Sequence, residues 1–354
     1  MTPDHDPIAA SIAASPARLL GQASAAAFGP ACGPFDPQPF VLVDLDDRDC
    51  PAPPDCGRLG AWLQRQPCPV IGLGERIVAP ELADACDLVV AERTSLASVL
   101  THVVRAPLAA MTLVQLLRAT ATLPRADALT VESLAFATLQ SGPEFAEWSA
   151  AHPPDAQRLE SDDGPPVLIA RDGARLMLRL NRPTRRNAMT IAMRDALVEA
   201  FEFAAADASI ETLEVDAAGA CFCTGGALEE FGTAPDPARA HAIRSLRLPA
   251  AALLRTRATS HFRVHGACIG SGIELAAFAG RLTAAPSAFF QLPELRFGLL
   301  PGAGGCVSLP RRIGRQRTAY LALSGRRINA ATALEWGLVD AIEEVAARPS
   351  VDRP

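Results

Sequence analysis

A strand-to-helix turn is encoded in residues 266–275, which read GACIGSGIEL. The run His261–His265 just before it predicts a strand, and a helix is predicted to start at Ile273. Between them, Gly270 and Gly272 permit a tight turn that exposes backbone N–H groups at the helix start. Because the helix dipole favours negative charge at that end, the turn predicts a site for an anion or an oxyanion.

Two more glycine-rich stretches follow the same pattern, FCTGG at residues 222–226 and PGAGG at residues 301–305. Each can present N–H groups where a helical segment begins. Two such loops could supply one donor each to a single oxygen, the arrangement that a carbonyl becoming an enolate needs. The stretches therefore predict a site that stabilises a developing negative charge.

Two carboxylates accompany these loops. Glu274 stands between Ile273 and Leu275, and Glu294 follows Pro293 in an apolar stretch. Apolar surroundings raise the pKa of a carboxyl group, which suits proton transfer near neutral pH. Taken alone, however, either residue could equally be a helix-terminal or surface glutamate.

The surrounding chain alternates strands and helices. Val167–Ala170 and Arg175–Leu180 are apolar runs joined through Asp172-Gly173, which predicts a β-hairpin because Gly accepts a positive φ. A helix is predicted over Thr190–Ala206 and a strand over Thr212–Val215. This order predicts an α/β fold with crossover connections.

Together, the motifs of the second half resemble the enoyl-CoA hydratase/isomerase (crotonase) superfamily. The matching segments, in order, are 178–183 (LRLNRP), 187–189 (NAM), 222–226, 266–275, 291–294 (QLPE), 297–305 (FGLLPGAGG), 309–314 (LPRRIG), 323–325 (LSG) and 336–339 (WGLV). The resemblance covers roughly half of the chain and implies a crotonase-like spiral of ββα units.

The resemblance also implies the two N–H donors of an oxyanion hole. They fall on Gly226 and Ser271, with Gly225 and Gly272 as supporting residues. Ser271 replaces the Gly that is usual at the second donor position; its N–H remains, but the side chain adds bulk and a hydroxyl. A further departure is Gly280, where many members have Asp.

The two glutamates of family hydratases fall on Glu274 and Glu294. The resemblance implies that Glu274 acts as base toward water, which adds at the β-carbon, and that Glu294 delivers a proton to the α-carbon. Gly302 matches a position whose backbone helps to organise this region. An isomerase needs one shuttling carboxyl group, matching Glu294, so the presence of both favours a hydratase.

Other functions remain open at this stage. They comprise an enoyl-CoA isomerase, a thioester hydrolase, a cofactor-free oxygenase, or a non-catalytic partner that binds CoA esters or takes part in assembly. The common fold does not choose among them. The resemblance implies an acyl-CoA substrate, with coenzyme A entering as part of the thioester and no separate cofactor, and a homo-oligomer, either a trimer or a hexamer.

The first half of the chain is less explicit. We expect a flexible leader over residues 1–36, an α/β to helical region over 37–151, a linker over 152–166 and the crotonase-like domain over 167–345, without the usual C-terminal helical tail. The helical part of the second region is predicted to break at Pro107, Pro124 and Pro143. Residues 38–122 could be a degenerate crotonase-like copy in which Glu81–Ala83 aligns with Glu274–Ala276; the alternative is coincidence in an Ala- and Leu-rich chain.

Composition excludes several classes. A formal net charge of -6 gives no reason to expect nucleic-acid binding. The nine cysteines form no C-x-x-C pair, and neither they nor the six histidines show metal-ligand spacing. No signal peptide or apolar run of the ~18–20 residues that span a bilayer is present, so we expect a cytoplasmic protein without membrane association. The chain contains no Lys, so Arg residues such as Arg315 could bind the phosphates of CoA or form a solvated helix face.

Overall fold

The computed structural model describes residues 13–25, 29–153 and 164–344. The helices are α1 (Pro16–Ala25), α2 (Pro53–Leu63), α3 (Pro80–Ala85), α4 (Arg93–Arg105), α5 (Pro107–Ala119), α6 (Arg125–Gln140), α7 (Pro143–Ala151), α8 (Ile191–Ala206), α9 (Pro237–Arg247), α10 (Pro249–Leu254), α11 (Ser271–Ala276), α12 (Gly305–Ser324) and α13 (Ala330–Glu335). The strands are β1 (Val41–Asp44), β2 (Val70–Leu73), β3 (Leu88–Val90), β4 (Val167–Asp172), β5 (Arg175–Leu180), β6 (Thr212–Ala217), β7 (Thr259–Val264), β8 (Ala267–Ile269), β9 (Arg281–Ala284), β10 (Phe289–Gln291), β11 (Ile328–Asn329) and β12 (Ala341–Ile342).

The contacts divide the chain into two compact units. The first comprises Met1–His152, Leu292–Gly302 and Leu309–Arg326. The second comprises Pro153–Gln291, Ala303–Ser308 and Arg327–Pro354. The first unit thus includes two segments of the predicted crotonase-like part; the domain boundaries given above, including the linker over 152–166, stay a prediction.

The first unit contains a three-stranded sheet in the order β1-β2-β3. All three strands are parallel, with Val41 opposite Val70 and Ile71 opposite Leu88. Helix α2 lies in sequence between β1 and β2, and α3 lies between β2 and β3. Apolar β-branched residues and leucines fill the strands, as expected for a sheet buried on both faces.

Part of the expected leader is ordered. Residues 16–25 form α1, which begins with Pro16, a residue favoured in the first turn of a helix. Leu19 is only 3% exposed and belongs to the core around the three-stranded sheet. The expectation of a flexible leader therefore differs from the structure here, because one apolar face of this segment is buried; residues 1–12 and 26–28 lie outside the described residues.

The helical part of the first unit breaks at the predicted prolines. Pro107 and Pro143 begin α5 and α7, and Pro124 immediately precedes α6. Proline fits a helix start because its missing N–H has no intrahelical partner there. The carboxylate of Glu144 in α7 accepts the N–H of Leu108, at 2.7 Å, and so ties α7 to the start of α5.

A buried carboxylate connects several segments of this unit. Asp87 is 1% exposed and accepts hydrogen bonds from the Val70 N–H, at 2.9 Å, and from the guanidinium groups of Arg118 and Arg315. Arg315 also donates to the carbonyl of Cys86, at 3.0 Å. From the sequence, Arg315 could either bind the phosphates of CoA or belong to a solvated helix face. In the structure it forms an internal ion pair with Asp87.

The second unit is built on a six-stranded sheet in the order β12-β9-β7-β6-β5-β4. The predicted hairpin is confirmed: β4 and β5 are antiparallel and turn through Gly173, whose φ is +56°. From β5 onward the neighbouring strands are parallel. The predicted helix and strand at residues 190–206 and 212–215 correspond to α8 and β6.

A smaller sheet in the order β11-β10-β8 completes the second unit. Strand β8 is parallel to β10, with Cys268 opposite Phe290, and β10 is antiparallel to β11. A strand of this small sheet therefore follows a strand of the large one before α11 begins, which is a ββα unit. The α/β fold class is confirmed.

No single helix of the described residues is long and apolar enough to cross a membrane. One consecutive pair, α4 and α5, meets the length and composition test only together, and it bends by 109°.

Candidate active site

Two of the glycine-rich loops lie side by side in the second unit. The N–H of Cys223 donates to the carbonyl of Ala267, at 3.0 Å, and the N–H of Ile269 donates to the carbonyl of Cys223, at 3.0 Å. A Cβ on Gly272 would lie only 2.9 Å from the Cβ of Cys223, so the chains approach closely because this residue has no side chain. Residues 225–226 and 270–272, which the sequence predicted as donor loops, are thus brought together.

The Gly226 segment is held from both sides. The carbonyl of Gly225 accepts the N–H of Met189, at 2.8 Å, and the N–H of Ala227 donates to the carbonyl of Met189, at 3.1 Å. These bonds use the residues before and after Gly226. The ring of Phe231 covers its Cα, since a Cβ there would be 2.5 Å from the ring.

A buried asparagine fixes the chain that leads to Met189. Asn187 is fully buried with φ +53°, a conformation that Asn tolerates better than most residues. Its amide nitrogen donates to the carbonyls of Ala218, at 2.8 Å, and Cys221, at 3.0 Å. Its oxygen accepts the N–H of Arg182, at 2.8 Å. The asparagine therefore positions the loop that follows β6.

The second loop turns sharply into α11. Gly270 has φ +50° and ψ −126°, which favours glycine, and its N–H donates to the carbonyl of Gln291 at 3.0 Å. Ser271 is the first residue of α11 and is 8% exposed. Its N–H is one of the four at a helix start that have no intrahelical partner.

Glu274 lies three residues further along, still in the first turn of α11, and is 2% exposed. Its Oε2 accepts the N–H of Ala303, at 2.7 Å, and that of Gly305, at 2.9 Å. Burial raises the pKa of Glu274 to about 7, against the opposing effects of these two N–H groups and of the positive charge of Arg244. The carboxyl group is therefore present in both protonation states near neutral pH, as a group that takes and returns protons must be.

The neighbouring thiols do not share this property. Burial raises the pKa of Cys223 to about 12 and places that of Cys268 well above its usual value. Both are therefore neutral thiols near pH 7, and the thiolate is the nucleophilic form. Among the residues that the structure describes, no group of His, Cys, Asp or Glu side chains could hold a metal ion.

Glu294 and Gly302 lie in the first unit. Glu294 opens the 3₁₀ turn Glu294–Phe297 and is 8% exposed. Its carbonyl accepts the N–H of Leu299, at 3.1 Å. Phe136 of α6 packs on Gly302, where the ring leaves no room for a side chain. The predicted site residues are therefore distributed over both units.

The model of the enoyl-CoA hydratase/isomerase family matches residues 172–348. The chain belongs to this family. It is 34% identical to 2,3-dehydroadipyl-CoA hydratase of Escherichia coli, over 49% of this chain and 67% of that protein. It is 36% identical to cyclohexa-1,5-dienecarbonyl-CoA hydratase of Thauera aromatica, over 50% and 67%. A solved structure of an enoyl-CoA hydratase from Mycobacterium smegmatis is 31% identical over 51% of this chain and 71% of that chain, with a TM-score of 0.47.

Membership of the enoyl-CoA hydratase/isomerase family confirms the predicted family and the hydratase/lyase type of enzyme. The match covers about half of this chain and about two thirds of the two curated relatives. The first 171 residues lie outside it.

Several residues around Glu274 and Gly302 were not singled out from the sequence. The N–H groups of Ala303 and Gly305 were not linked to Glu274, because residues 29 or more positions apart give no local signal. Arg244 could have been noticed as a cation on a short helix, but nothing in its spacing pointed to Glu274. Phe136 carries no motif at all.

Proposed function

We propose that this protein is an enoyl-CoA hydratase that adds water across the α,β double bond of a 2-enoyl-CoA. The proposal is carried by one observation: a buried carboxyl group with a pKa of about 7, Glu274, lies three residues after Ser271, the helix start that offers a backbone N–H. A hydratase needs both features, a group that accepts a proton from water and donors for the thioester oxygen.

The proposed reaction has a defined proton balance. Ionised Glu274 takes a proton from water, and the water oxygen forms a bond to the β-carbon while the double bond opens. The negative charge moves to the thioester oxygen, which accepts the N–H groups of Gly226 and Ser271. Protonated Glu294 then gives its proton to the α-carbon, and the product is a 3-hydroxyacyl-CoA. Proton transfer from Glu274 back to Glu294, directly or through water, restores the starting state.

Gly225 and Gly272 have a supporting part in this proposal, since they let the two donor loops approach each other. Gly302 forms the peptide bond that carries the Ala303 N–H, which donates to Glu274. Coenzyme A enters as part of the substrate, and no cofactor takes part. A cytoplasmic homo-oligomer, trimer or hexamer, acting in fatty acid metabolism completes the proposal; light scattering after size-exclusion chromatography measures the assembly.

The first test is turnover of enoyl-CoA thioesters, followed by the loss of absorbance of the conjugated thioester. The panel includes crotonyl-CoA, an enoyl-CoA with a second carboxyl group and a cyclic dienoyl-CoA, since the two relatives are named for the last two kinds of acyl group. We expect hydration of at least one. Failure with all three, together with no binding of CoA esters by calorimetry, would favour the non-catalytic alternative.

The donor role of Ser271 has a sharp test of its own. Proline is tolerated at the first position of a helix but lacks an N–H, so Ser271→Pro removes the donor and keeps α11. We expect kcat to fall by about 10²–10³-fold, as for the loss of one oxyanion donor. Ser271→Ala keeps the N–H and should stay within about threefold of native turnover. Equal activity of the two variants would contradict the donor role.

The product formed by the native protein separates hydration from isomerisation, and both reactions should depend on Glu294. A hydratase should lose turnover of 2-enoyl-CoA by about 10²-fold or more in this variant. An isomerase would instead convert a 3-enoyl-CoA to the 2-enoyl-CoA in the native protein, without forming the hydroxyl product, and would lose that conversion in Glu294→Gln.

A further inference from the structure

The ring of Phe136 packs directly on Gly302 and leaves no room for a side chain there. Phe136 lies in α6 and is 6% exposed. A Cβ on Gly302 would overlap Cδ2 of Phe136, and the three atoms nearest to it all belong to this ring. Gly302 does not have a positive φ, so its backbone conformation suits any residue. Glycine is therefore required at position 302 by the Phe136 ring and not by backbone strain.

The same segment is contacted by α7. A Cβ on Gly298 would lie 2.6 Å from the Cβ of Glu144, and the ring of Trp148 lies 4.8 Å from that of Phe297. Helices α6 and α7 thus pack on successive residues of Leu292–Gly302. They precede residues 172–348, so the family match does not include them.

Gly302 is joined by one peptide bond to Ala303, whose N–H donates to Glu274. A ring pressed against the Cα of Gly302 limits the movement of that peptide and therefore the direction of the next N–H group. We infer that Phe136 is a positioning residue for Glu274: it fixes the Gly302–Ala303 peptide so that the Ala303 N–H stays on the carboxylate. The inference rests on the proposed role of Glu274. It means that helix α6, in the first half of the chain, contributes to the orientation of a catalytic group.

The test is a double-mutant cycle in the full chain with Phe136→Ala, Gly302→Ala and the double variant. Leu139→Ala is the matched control, since Leu139 lies on the same helix and is equally buried, at 6% exposure. The first readout does not depend on turnover: the backbone amide signals of Ala303 and Gly305 are followed by NMR as the pH is raised, which reports the pKa of Glu274.

We expect the midpoint of this titration to rise in Phe136→Ala, because a looser Ala303 N–H stabilises the ionised carboxylate less. Leu139→Ala should keep the native midpoint. Gly302→Ala should disturb both amide signals through the clash with the ring, and the double variant should approach Phe136→Ala because the added methyl group then has space. If Phe136→Ala does not fold, Phe136→Leu provides the same comparison with a smaller expected shift.

The second readout is kinetic. Because the proposed base must be ionised, kcat should rise with pH through about 7 in the native enzyme. In Phe136→Ala this limb should move to higher pH and kcat should fall about tenfold, with KM within about threefold, as expected when a catalytic group is misplaced. Leu139→Ala should leave the limb where it is.

The outcomes separate the two proposals. An unchanged midpoint and an unchanged kcat in Phe136→Ala would overturn the positioning role, and so would a Gly302→Ala variant that behaves like the native protein. If no enoyl-CoA is turned over but the midpoint moves in Phe136→Ala and not in Leu139→Ala, the positioning role stands and the proposed hydratase function fails.

Discussion

Strands β1, β2 and β3 of the first unit and strands β6, β7 and β9 of the second share one arrangement. Both sets are parallel and paired in chain order. In both, a six-residue loop connects the second strand to a short helix, residues 74–79 before α3 and residues 265–270 before α11. The shared strand order agrees with the hypothesis of a degenerate crotonase-like copy, which stays a prediction.

The two loops use their backbone N–H groups differently. In the first unit, the carboxylate of Asp46 accepts the N–H groups of three successive residues, Glu75, Arg76 and Ile77. In the second unit, the loop forms β8 and ends in the turn that places the Ser271 N–H at a helix start. A shared topology therefore provides the loop, whereas the side chain beside it decides whether backbone N–H donors stay available.

The residue before the third strand differs as well. Asp87 stands before β3 and accepts the Val70 N–H at the start of β2. Gly280 stands before β9, and here the backbone N–H donates to the hydroxyl of Ser260 in β7, at 3.0 Å. The same junction is therefore closed in both units, with donor and acceptor exchanged.

The largest expected difference between the two arrangements is in catalysis. Glu274→Gln should lower kcat by about 10³-fold, because the proposed base is lost while the side chain keeps its shape. Glu81→Gln is the matched control, since the sequence aligns Glu81 with Glu274 but its side chain is exposed. It should leave kcat unchanged. A similar loss in both variants, measured with the same enoyl-CoA, would contradict a catalytic role specific to Glu274.

The next effect concerns stability at the two junctions. Asp87→Asn removes a buried charge that faces Arg118 and Arg315, and we expect it to lower the free energy of unfolding by about 3 kcal/mol. Gly280→Asp places an exposed side chain at the matching position and should change it by less than about 0.5 kcal/mol. Urea unfolding measures both changes. An equal loss in the two variants would contradict the larger role of the buried Asp87 charge.

The pH dependence of stability tests the burial of Glu274. The pKa of Glu274 is raised from 4.5 to about 7, so its burial favours the protonated form in the folded state. Relative to Glu274→Gln, the native protein should be most stable below about pH 4.5 and should lose up to about 3 kcal/mol as the pH rises through 7. Thermal unfolding at pH 5 and pH 8 checks the sign. A native protein that gains stability over this range relative to the variant would contradict the burial argument.

The smallest effects concern two glycines. A Cβ on Gly272 would lie 3.0 Å from the carbonyl of Cys223, so Gly272→Ala should cost about 1–2 kcal/mol of stability and lower turnover by separating the two proposed donor loops. A Cβ on Gly60 in α2 would meet only the Cβ of Ala85, at 3.5 Å. Gly60→Ala should therefore raise the free energy of unfolding by about 0.5–1 kcal/mol. Calorimetry of the two variants should show opposite signs.

The sequence predicted the parts of the fold that depend on local signals. The Asp172-Gly173 turn, the prolines at the starts of α5 and α7, and the glycines of the two donor loops each act through neighbouring residues. Family resemblance added the assignment of Glu274 and Glu294. It also allowed Ser271 to be recognised as a departure whose N–H is kept.

The remaining features depend on contacts between distant residues. The bonds from Ala303 and Gly305 to Glu274, and the Phe136 ring on Gly302, join positions that are 29 or more residues apart, and no spacing rule links them. The burial of Leu19 was missed for the same reason, since an Ala- and Pro-rich segment has little intrinsic signal and gains its order from the sheet it covers. Asp87 looked like any acidic residue because its two arginine partners lie 31 and 228 positions away.

The carboxylate of Glu274 also faces the start of α12, since Gly305 is the first residue of that helix. Each proton that Glu274 takes up removes a negative charge from two backbone N–H groups at the helix terminus, where such a charge is stabilising. If Glu274 is the base, the catalytic cycle repeatedly weakens and restores the end of this helix. We therefore expect the amide hydrogens of Ala303 and Gly305 to exchange with solvent faster during steady-state turnover than in the resting enzyme, while those of the helix interior keep their protection.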